Sequence, residues 1–393
     1  MAAKLSVRDL DVSGKRVFCR VDFNVPLEGG RVADDARIAA SLPTIRLLLE
    51  RGAKVLLASH LGRPKGKRVP EMTLAPAAAR LAELLGAKVP LAPDCVGPEV
   101  AAIAAAMAPG SVILLENLRF HAQEEKNDPD FAAGLAALAE LYVNDAFGSA
   151  HRAHASTAGI AQRLPRAAAG LLMQAELDNL SVLLGGAARP YVAVLGGAKV
   201  SDKLDLIRNL MTRVDRILVG GAMAYTFLKA QGVGTGDSRV EADLVDTART
   251  LLAEAAQKGI PLKLPVDHRV RPSAGGAASS TPGTEIPAGS IGLDIGPRTA
   301  AEFRADLEGA RTVLWNGPVG LFEEPPFDDG SRLVADAIAG SKAHSVVGGG
   351  DTASAVRRFG LVDRFTHVST GGGATLEFLS GLPLPGVEAL SNA

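Results

Sequence analysis

Short apolar runs alternate with Ala- and Leu-rich segments of helical length along almost all of this chain. That alternation constrains the fold more than any other feature. Residues 16–19, 54–58, 88–91, 111–115 and 141–143 read as strands, and 38–51, 75–85, 99–107 and 131–141 as helices. Runs that are apolar throughout belong to strands covered on both faces, so the sheets should be parallel, with helices on either side. A second series follows, with strands at 191–195, 216–219, 261–265, 312–315, 345–347 and 367–369. Helices fall between them at 202–211, 223–230, 241–258, 331–339 and 353–359. One doubly wound sheet rarely needs so many strands. The reading is an α/β protein of two doubly wound, parallel-sheet (Rossmann-like) domains with a cleft between them.

A helix over 173–184 should join the two domains. Met173, Leu177, Leu180 and Leu184 share one helical face, Gln174, Glu176, Asp178 and Asn179 lie off it, and Gly185-Gly186 ends it. The first domain is then 1–172 and the second begins at 185. The stretch 271–289, rich in Gly, Ser, Ala and Pro, reads as a surface excursion.

Charge and cysteine usage narrow the function. The net charge is −1, so no global field favours nucleic acid or an acidic membrane. Two cysteines, Cys19 and Cys95, are too few for a disulfide framework. Lys4, Arg8, Asp9, Asp11, Lys15 and Arg16 leave no apolar core for a signal peptide. The longest uncharged apolar stretch, 100–115, is broken by Pro109 and Gly110. A soluble cytoplasmic protein is expected, with neither nucleic acid nor membrane as partner.

The chain has 43 glycines, and in the second half they cluster where strands end. Leu195-Gly-Gly-Ala-Lys199, Val219-Gly-Gly-Ala-Met223, Val347-Gly-Gly-Gly-Asp-Thr352 and Thr370-Gly-Gly-Gly-Ala374 each follow an apolar run. Asn316-Gly-Pro-Val-Gly320 follows another. One such cluster is an ordinary strand-to-helix turn. Five together form an edge where backbone can approach a ligand and helix N-termini can face phosphate. Asp351 and Thr352 open a helix, where a carboxylate serves either as N-cap or as a ligand for Mg²⁺. Lys199 and Lys203, four apart, should share a helix face, as solvated lysines or as phosphate contacts. There is no Walker-A motif and no protein-kinase signature, and Gly232-Val-Gly-Thr-Gly236 reads as a loop.

Strand ends in the first half carry cations instead. Arg20-Val-Asp-Phe-Asn-Val-Pro26, Ser59-His-Leu-Gly-Arg-Pro64, Glu116-Asn-Leu-Arg119 and the run Asn144 to Ser156 leave four of the strands. A parallel sheet would gather Arg20, Arg37, His60, Arg63, Arg119, His151, Arg152 and His154 on one edge. Guanidinium forks match phosphate and carboxylate oxygens in pairs, so the implied ligand is a small polyanion. Asp22 could simply neutralise a neighbouring arginine. His151 and His154 lack the further ligands a zinc site needs. A nucleotide edge in one domain and an anion basket in the other suggest phosphoryl transfer, which rests on positioning and charge stabilisation. A nicotinamide dehydrogenase would need a G-x-G-x-x-G in its first βαβ unit, and none is present. A non-catalytic phosphate-binding protein would not need Lys199, Lys203, Asp351 and Glu323 beside glycines.

On these residues the sequence closely resembles the phosphoglycerate kinases, from Arg20–Pro26 to Leu384-Pro-Gly-Val-Glu-Ala-Leu390. The resemblance includes Gly196-Gly-Ala-Lys-Val-Ser-Asp-Lys203, Gly292-Leu-Asp-Ile-Gly-Pro297 and Trp315-Asn-Gly-Pro-Val-Gly-Leu-Phe-Glu323. It implies direct, in-line phosphoryl transfer between 1,3-bisphosphoglycerate and Mg-ADP, giving 3-phosphoglycerate and ATP. By motif, Asp22, Phe23, Asn24, Arg37, His60, Leu61, Gly62, Arg63, Arg119 and Arg152 should hold the phosphoglycerate. Gly196, Gly197, Ala198, Gly220, Gly221, Gly292, Asn316, Pro318 and Glu323 should line the nucleoside pocket, with Glu323 on the ribose. Lys203, Gly349, Gly350 and Thr352 should meet the nucleotide phosphates, and Asp351 the magnesium. Arg37, Lys199 and the amides of Gly371, Gly372 and Gly373 should stabilise the moving phosphoryl. The resemblance also implies a monomer, and a C-terminal segment, 374–393, returning to the first domain.

Overall fold

The computed structural model describes residues 3–393. They form two compact units. One holds the chain up to Leu177 together with Pro383–Ala393, and the other spans Asp178–Leu382.

The first unit contains β1 (Arg16–Arg20), β2 (Leu27–Glu28), β3 (Arg31–Val32), β4 (Lys54–Ala58), β5 (Val112–Leu114), β6 (Leu141–Asn144) and β7 (Ala167–Ala169). Its main sheet is parallel throughout, in the order β5-β4-β1-β6-β7. Val17 and Cys19 point into one core with Val55, Leu57 and Val143. Phe18, facing the other way, stacks on Tyr142 with ring centroids 6.2 Å apart. Each such aliphatic side chain taken from water contributes about 1.5–3 kcal/mol, which is why these runs are apolar on both faces.

The second unit contains β8 (Tyr191–Leu195), β9 (Arg216–Val219), β10 (Leu262–Lys263), β11 (His268–Pro272), β12 (Ser279–Ser280), β13 (Ser290–Ile295), β14 (Thr312–Asn316), β15 (His344–Gly348) and β16 (His367–Val368). Its parallel sheet runs β10-β9-β8-β14-β15-β16. Val192, Val194, Leu218, Val313, Trp315 and Val347 pack there with Phe303 and Val334. In both sheets the first strand lies between the second and fourth parallel strands. Winding therefore reverses beside β1 in one unit and beside β8 in the other. Such switch points leave a crevice at the strands' carboxyl ends, where ligands bind.

Several expectations need correction, and one strand went unread. Residues 88–91 form no strand; only Leu91 bridges to Leu114, because Pro90 and Pro93 remove the donors a ladder needs. Ala167–Ala169 does form a strand on β6, although three alanines carry no strand signal. The stretch 271–289 is not a plain excursion. It holds β12 and the end of β11 in the small antiparallel sheet β12-β11-β13. Finally, the chain leaves the second unit after Leu382, not after Gly373. The helix Gly373–Leu379 packs on the helix Leu204–Leu210, and Asn209 Nδ2 donates to the Leu379 carbonyl at 2.6 Å. Gly386 then joins the first unit, donating to Ala150 O at 2.8 Å and accepting from Asn144 Nδ2 at 3.2 Å. The joining helix runs Leu171–Gly185, longer at both ends than 173–184, and the division between units falls within it. Among the described residues no helix is long and apolar enough to cross a membrane.

Candidate active site

The first unit's switch point is built around buried Arg20, the last residue of β1. Its Nε donates to Ser156 Oγ at 2.9 Å, its Nη1 to the Val21 carbonyl and its Nη2 to His60 Nδ1 at 3.0 Å. Arg20 is thus committed to holding the loop rather than a ligand. Because a guanidinium only donates, His60 Nδ1 must accept and its proton sits on Nε2. Burial, then the charges of Arg20 and Arg119, push His60 well below the usual histidine range. It therefore offers a neutral N–H donor, not the positive charge its residue type suggested. His154 is likewise neutral, pushed down to about 3 by burial and then by Arg20, Arg119 and Arg152.

The remaining arginines are aimed by backbone. Asp22 accepts from Arg37 Nη1 at 2.8 Å, so its neutralising role is realised at the start of the helix Ala36–Glu50. Gly62 is gripped on both sides: its N–H donates to Asn24 Oδ1 at 2.9 Å, and its carbonyl accepts from Arg119 Nη1 at 2.9 Å. Arg63, next along, is exposed and has no hydrogen bond or ion pair among the described residues. Arg152 is also exposed, with Nε 3.1 Å from His151 Nε2. Phe23 and Leu61 are buried, so only their backbones face this edge; Phe23 N donates to Ser59 Oγ at 2.8 Å and Leu61 N to Asn117 Oδ1 at 3.2 Å.

Sequence reasoning missed the groups that hold this array. Glu124 is fully buried; it accepts from Ser156 N at 3.0 Å and from Ser156 Oγ at 2.5 Å, and its carboxylate lies 3.8 Å from His154 Nδ1. Nothing in its neighbourhood, Gln123-Glu-Glu125, marks it as different from a solvated pair.

The neutral histidines give a pH test. An unfolded histidine titrates near 6.5, whereas His154 stays neutral in the fold down to about 3. Between those values the unfolded chain binds the extra proton, so stability is lost as pH falls. At about pH 5 this costs about 2 kcal/mol for such a histidine. Urea melts at about pH 7 and about pH 5 should show His154→Gln losing less stability than the parent. Equal losses would contradict the neutral assignment.

The second unit's switch point is backbone against backbone. Gly196 N donates to Asn316 O at 3.0 Å, Gly197 N to Pro318 O at 2.8 Å, and Gly221 N to Val319 O at 2.8 Å. A Cβ on Gly196 would sit 2.1 Å from Pro318 O, and one on Gly220 2.6 Å from Val319 Cβ. These glycines are required by the closeness of the loops after β8, β9 and β14. Gly292, in β13, has no room either, since Tyr225 Oη would lie 2.4 Å from its Cβ. Tyr225, Leu228, Val270 and Ile286 form a small apolar cluster beside it.

The polar groups here are mostly unspent. The Asn316 amide NH₂ is buried without a hydrogen-bond partner among the described residues and lies against Gly348 and Gly349. Gly349 caps the helix Gly350–Arg358, so Asp351 and Thr352 lie within its first turn and neither is the N-cap. Thr352 Oγ1 accepts from Gly317 N at 2.6 Å, tying two loops together. Asp351 and Glu323 are exposed and make no hydrogen bond or ion pair among the described residues. Gly372 caps the helix Gly373–Leu379 at φ +53°, and Gly371 N donates to Ser369 Oγ at 3.1 Å.

Lys199 and Lys203 do not share a helix face. Glu241 accepts from Val200 N and from Ser201 N, and takes the Ser201 hydroxyl at 2.7 Å. These bonds hold the chain open until the short 3₁₀ turn Ser201–Lys203. Lys199 and Ala198 stay in the preceding loop, exposed, whereas Lys203 is buried with Nζ about 4 Å from where a Gly197 Cβ would be. Burial lowers the Lys203 pKa, opposed by Asp202 and Asp351.

A cationic switch point in one doubly wound unit and a glycine-lined one in another are the working parts of a phosphotransferase. The phosphoglycerate kinase family model matches residues 7–382. A phosphoglycerate kinase of Solibacter usitatus is 59% identical over 98% of this chain and 99% of its own length. One of Moorella thermoacetica is 56% identical over 99% of each. The solved phosphoglycerate kinase of Coxiella burnetii superposes with a TM-score of 0.90 at 42% identity, covering 98% of both chains. The chain belongs to the phosphoglycerate kinase family. It is a glycolytic kinase that moves a phosphoryl group between 1,3-bisphosphoglycerate and ADP, giving 3-phosphoglycerate and ATP.

Proposed function

We propose that the first unit binds the phosphoglycerate at the β1/β6 switch point and the second binds ADP or ATP at the β8/β14 switch point. The observation that carries this is the inventory of unspent donors at each edge: Arg63 and the terminal nitrogens of Arg152 in one unit, Lys199, Lys203 and the Asn316 amide in the other. Asp22, Asn24, Arg37, His60, Arg63, Arg119 and Arg152 take the phosphoglycerate, with Phe23, Leu61 and Gly62 shaping the backbone. The glycine loops, with Ala198 and Pro318, line the nucleoside pocket; the Tyr225 cluster offers an apolar face for the base and Glu323 a carboxylate for the ribose hydroxyls. Lys203, Gly349, Gly350 and Thr352 face the phosphates.

Asp351 suits Mg²⁺, because an exposed carboxylate with no hydrogen bond or ion pair among the described residues can bind the ion while leaving its waters in place. When bound, the metal would neutralise phosphate charge. Arg37, Lys199 and the amides of Gly371–Gly373 act on the charge that develops as the phosphoryl moves. Transfer is direct, and no protein group becomes phosphorylated. We place the enzyme in the cytoplasm as a monomer. Val362 and Leu382 are the only large apolar side chains exposed among the described residues, which supports the monomer.

The test is ATP consumption by pure protein with Mg²⁺ and 3-phosphoglycerate, using hydroxylamine to trap the acyl phosphate. Hydroxamate should form only when all three ligands are present. In calorimetry, Arg63→Ala should weaken 3-phosphoglycerate binding by about tenfold or more, the loss of one charge-assisted hydrogen bond, and leave Mg-ADP binding alone. Equal loss of both would overturn the division of ligands between units.

A further inference from the structure

A third group of reactive side chains lies apart from both switch points. Asp94, Cys95 and His121 each offer one ligand atom, and these atoms all lie within 4.8 Å of one another. Asp94 and Cys95 follow Leu91, the residue that bridges to β5, and His121 ends the 3₁₀ turn Leu118–Phe120. His121 Nε2 is 2.7 Å from Asp94 Oδ1, which also accepts from Cys95 N at 2.7 Å. The imidazole leans on the Phe131 ring, centroids 5.1 Å apart, so its position is fixed by packing as well. Cys95 is buried, whereas Asp94 and His121 are partly exposed, which gives an ion a way in.

We propose that Asp94, Cys95 and His121 form a site for a borderline-soft divalent cation of the zinc and cadmium type. A thiolate, an imidazole and a carboxylate are the donor set such ions prefer, and hard Mg²⁺ does not. Tetrahedral metal–ligand distances of about 2.0–2.3 Å place ligand atoms roughly 3–4 Å apart, within reach of small rotamer changes here. Three protein ligands leave the fourth position to water. Loading balances simply. The ion sheds water, the Cys95 thiol gives up its proton and the sulfur–metal bond forms. The His121–Asp94 hydrogen bond breaks, and His121 turns its Nε2 lone pair to the ion with its own proton on Nδ1. One proton leaves per ion bound.

The surrounding charge favours a cation. Asp94 brings its carboxylate into the cluster, and the charge of Glu124 also reaches Cys95. Arg68 is the opposing charge near Asp94, but its guanidinium lies over the Phe120 ring and donates to the Pro93 carbonyl. The site is independent of the kinase reading, since its ligands bind neither proposed substrate.

The experiment is a Cd²⁺ titration of chelator-treated full-length protein with Mg²⁺ in excess, so that oxygen-only sites are filled. An ultraviolet thiolate-to-cadmium band should saturate at one ion per chain, with one proton released, and Zn²⁺ should compete it away. Cys95→Ser should abolish the band and Cys19→Ser should keep it. His121→Asn, on the exposed rim and retaining the thiol, should weaken binding by about tenfold or more. No saturable one-to-one band, a band lost with Cys19 instead, or parental affinity in His121→Asn would each overturn the proposal.

Discussion

Lys199→Ala should lower kcat by roughly 10²–10³-fold, the loss expected for one preorganised donor to transition-state charge, and leave Mg-ADP affinity within about twofold. The substitution is clean. Lys199 is exposed and makes no hydrogen bond or ion pair among the described residues, so its removal should leave folding stability within about 0.5 kcal/mol. Glu241 holds the loop through Val200 and Ser201, so Ala198 and Gly197 should stay in place. Lys203→Ala should behave differently. Its ammonium is buried beside the Gly197 backbone, and losing it should raise the dissociation constant for nucleotide as well as lower the rate. Rapid-quench kinetics with calorimetry separate the two. An unchanged kcat in Lys199→Ala would remove this lysine from the mechanism.

Gly196→Ala should be among the most damaging single-methyl changes in the nucleotide unit. The new Cβ would meet Pro318 O at 2.1 Å and Gly317 O at 2.5 Å, both backbone, so no side chain can swing away. Relief requires the loop after β8 to part from the loop after β14, breaking the bonds from Gly196 N to Asn316 O and Gly197 N to Pro318 O. A stability loss of about 3 kcal/mol is expected, the upper range for overpacking, with nucleotide binding lost at ordinary concentrations. Gly340→Ala is the control: it lies in the same unit, and a Cβ there meets nothing within 4 Å. Denaturant melts and Mg-ADP calorimetry should separate the two variants. Parental stability and binding in Gly196→Ala would mean that the loops are not in contact.

Much of this arrangement was legible in the chain because buried parallel strands must be apolar on both faces. The runs at 54–58, 191–195 and 216–219 match β4, β8 and β9 residue for residue. The same logic failed where chemistry and periodicity part. Ala167–Ala169 became a strand through pairing with β6, which no alanine propensity announces. Residues 88–91 looked like a strand, but the prolines left only a bridge at Leu91. Lys199 and Lys203 looked like one helix face until Glu241, far along the chain, took the amides between them.

The sequence by itself determined the class of the fold, the glycine edge and the arginine set, because local residue types impose strand burial, turn geometry and charge. Only the tertiary structure decided what each charged group does. Arg20 is spent on Ser156, Val21 and His60, while Arg63 has no hydrogen bond or ion pair among the described residues. His60 and His154 are neutral, and His60 is a donor through Nε2. Those outcomes depend on burial and on partners many residues away, and neither is written in the neighbourhood of the residue itself.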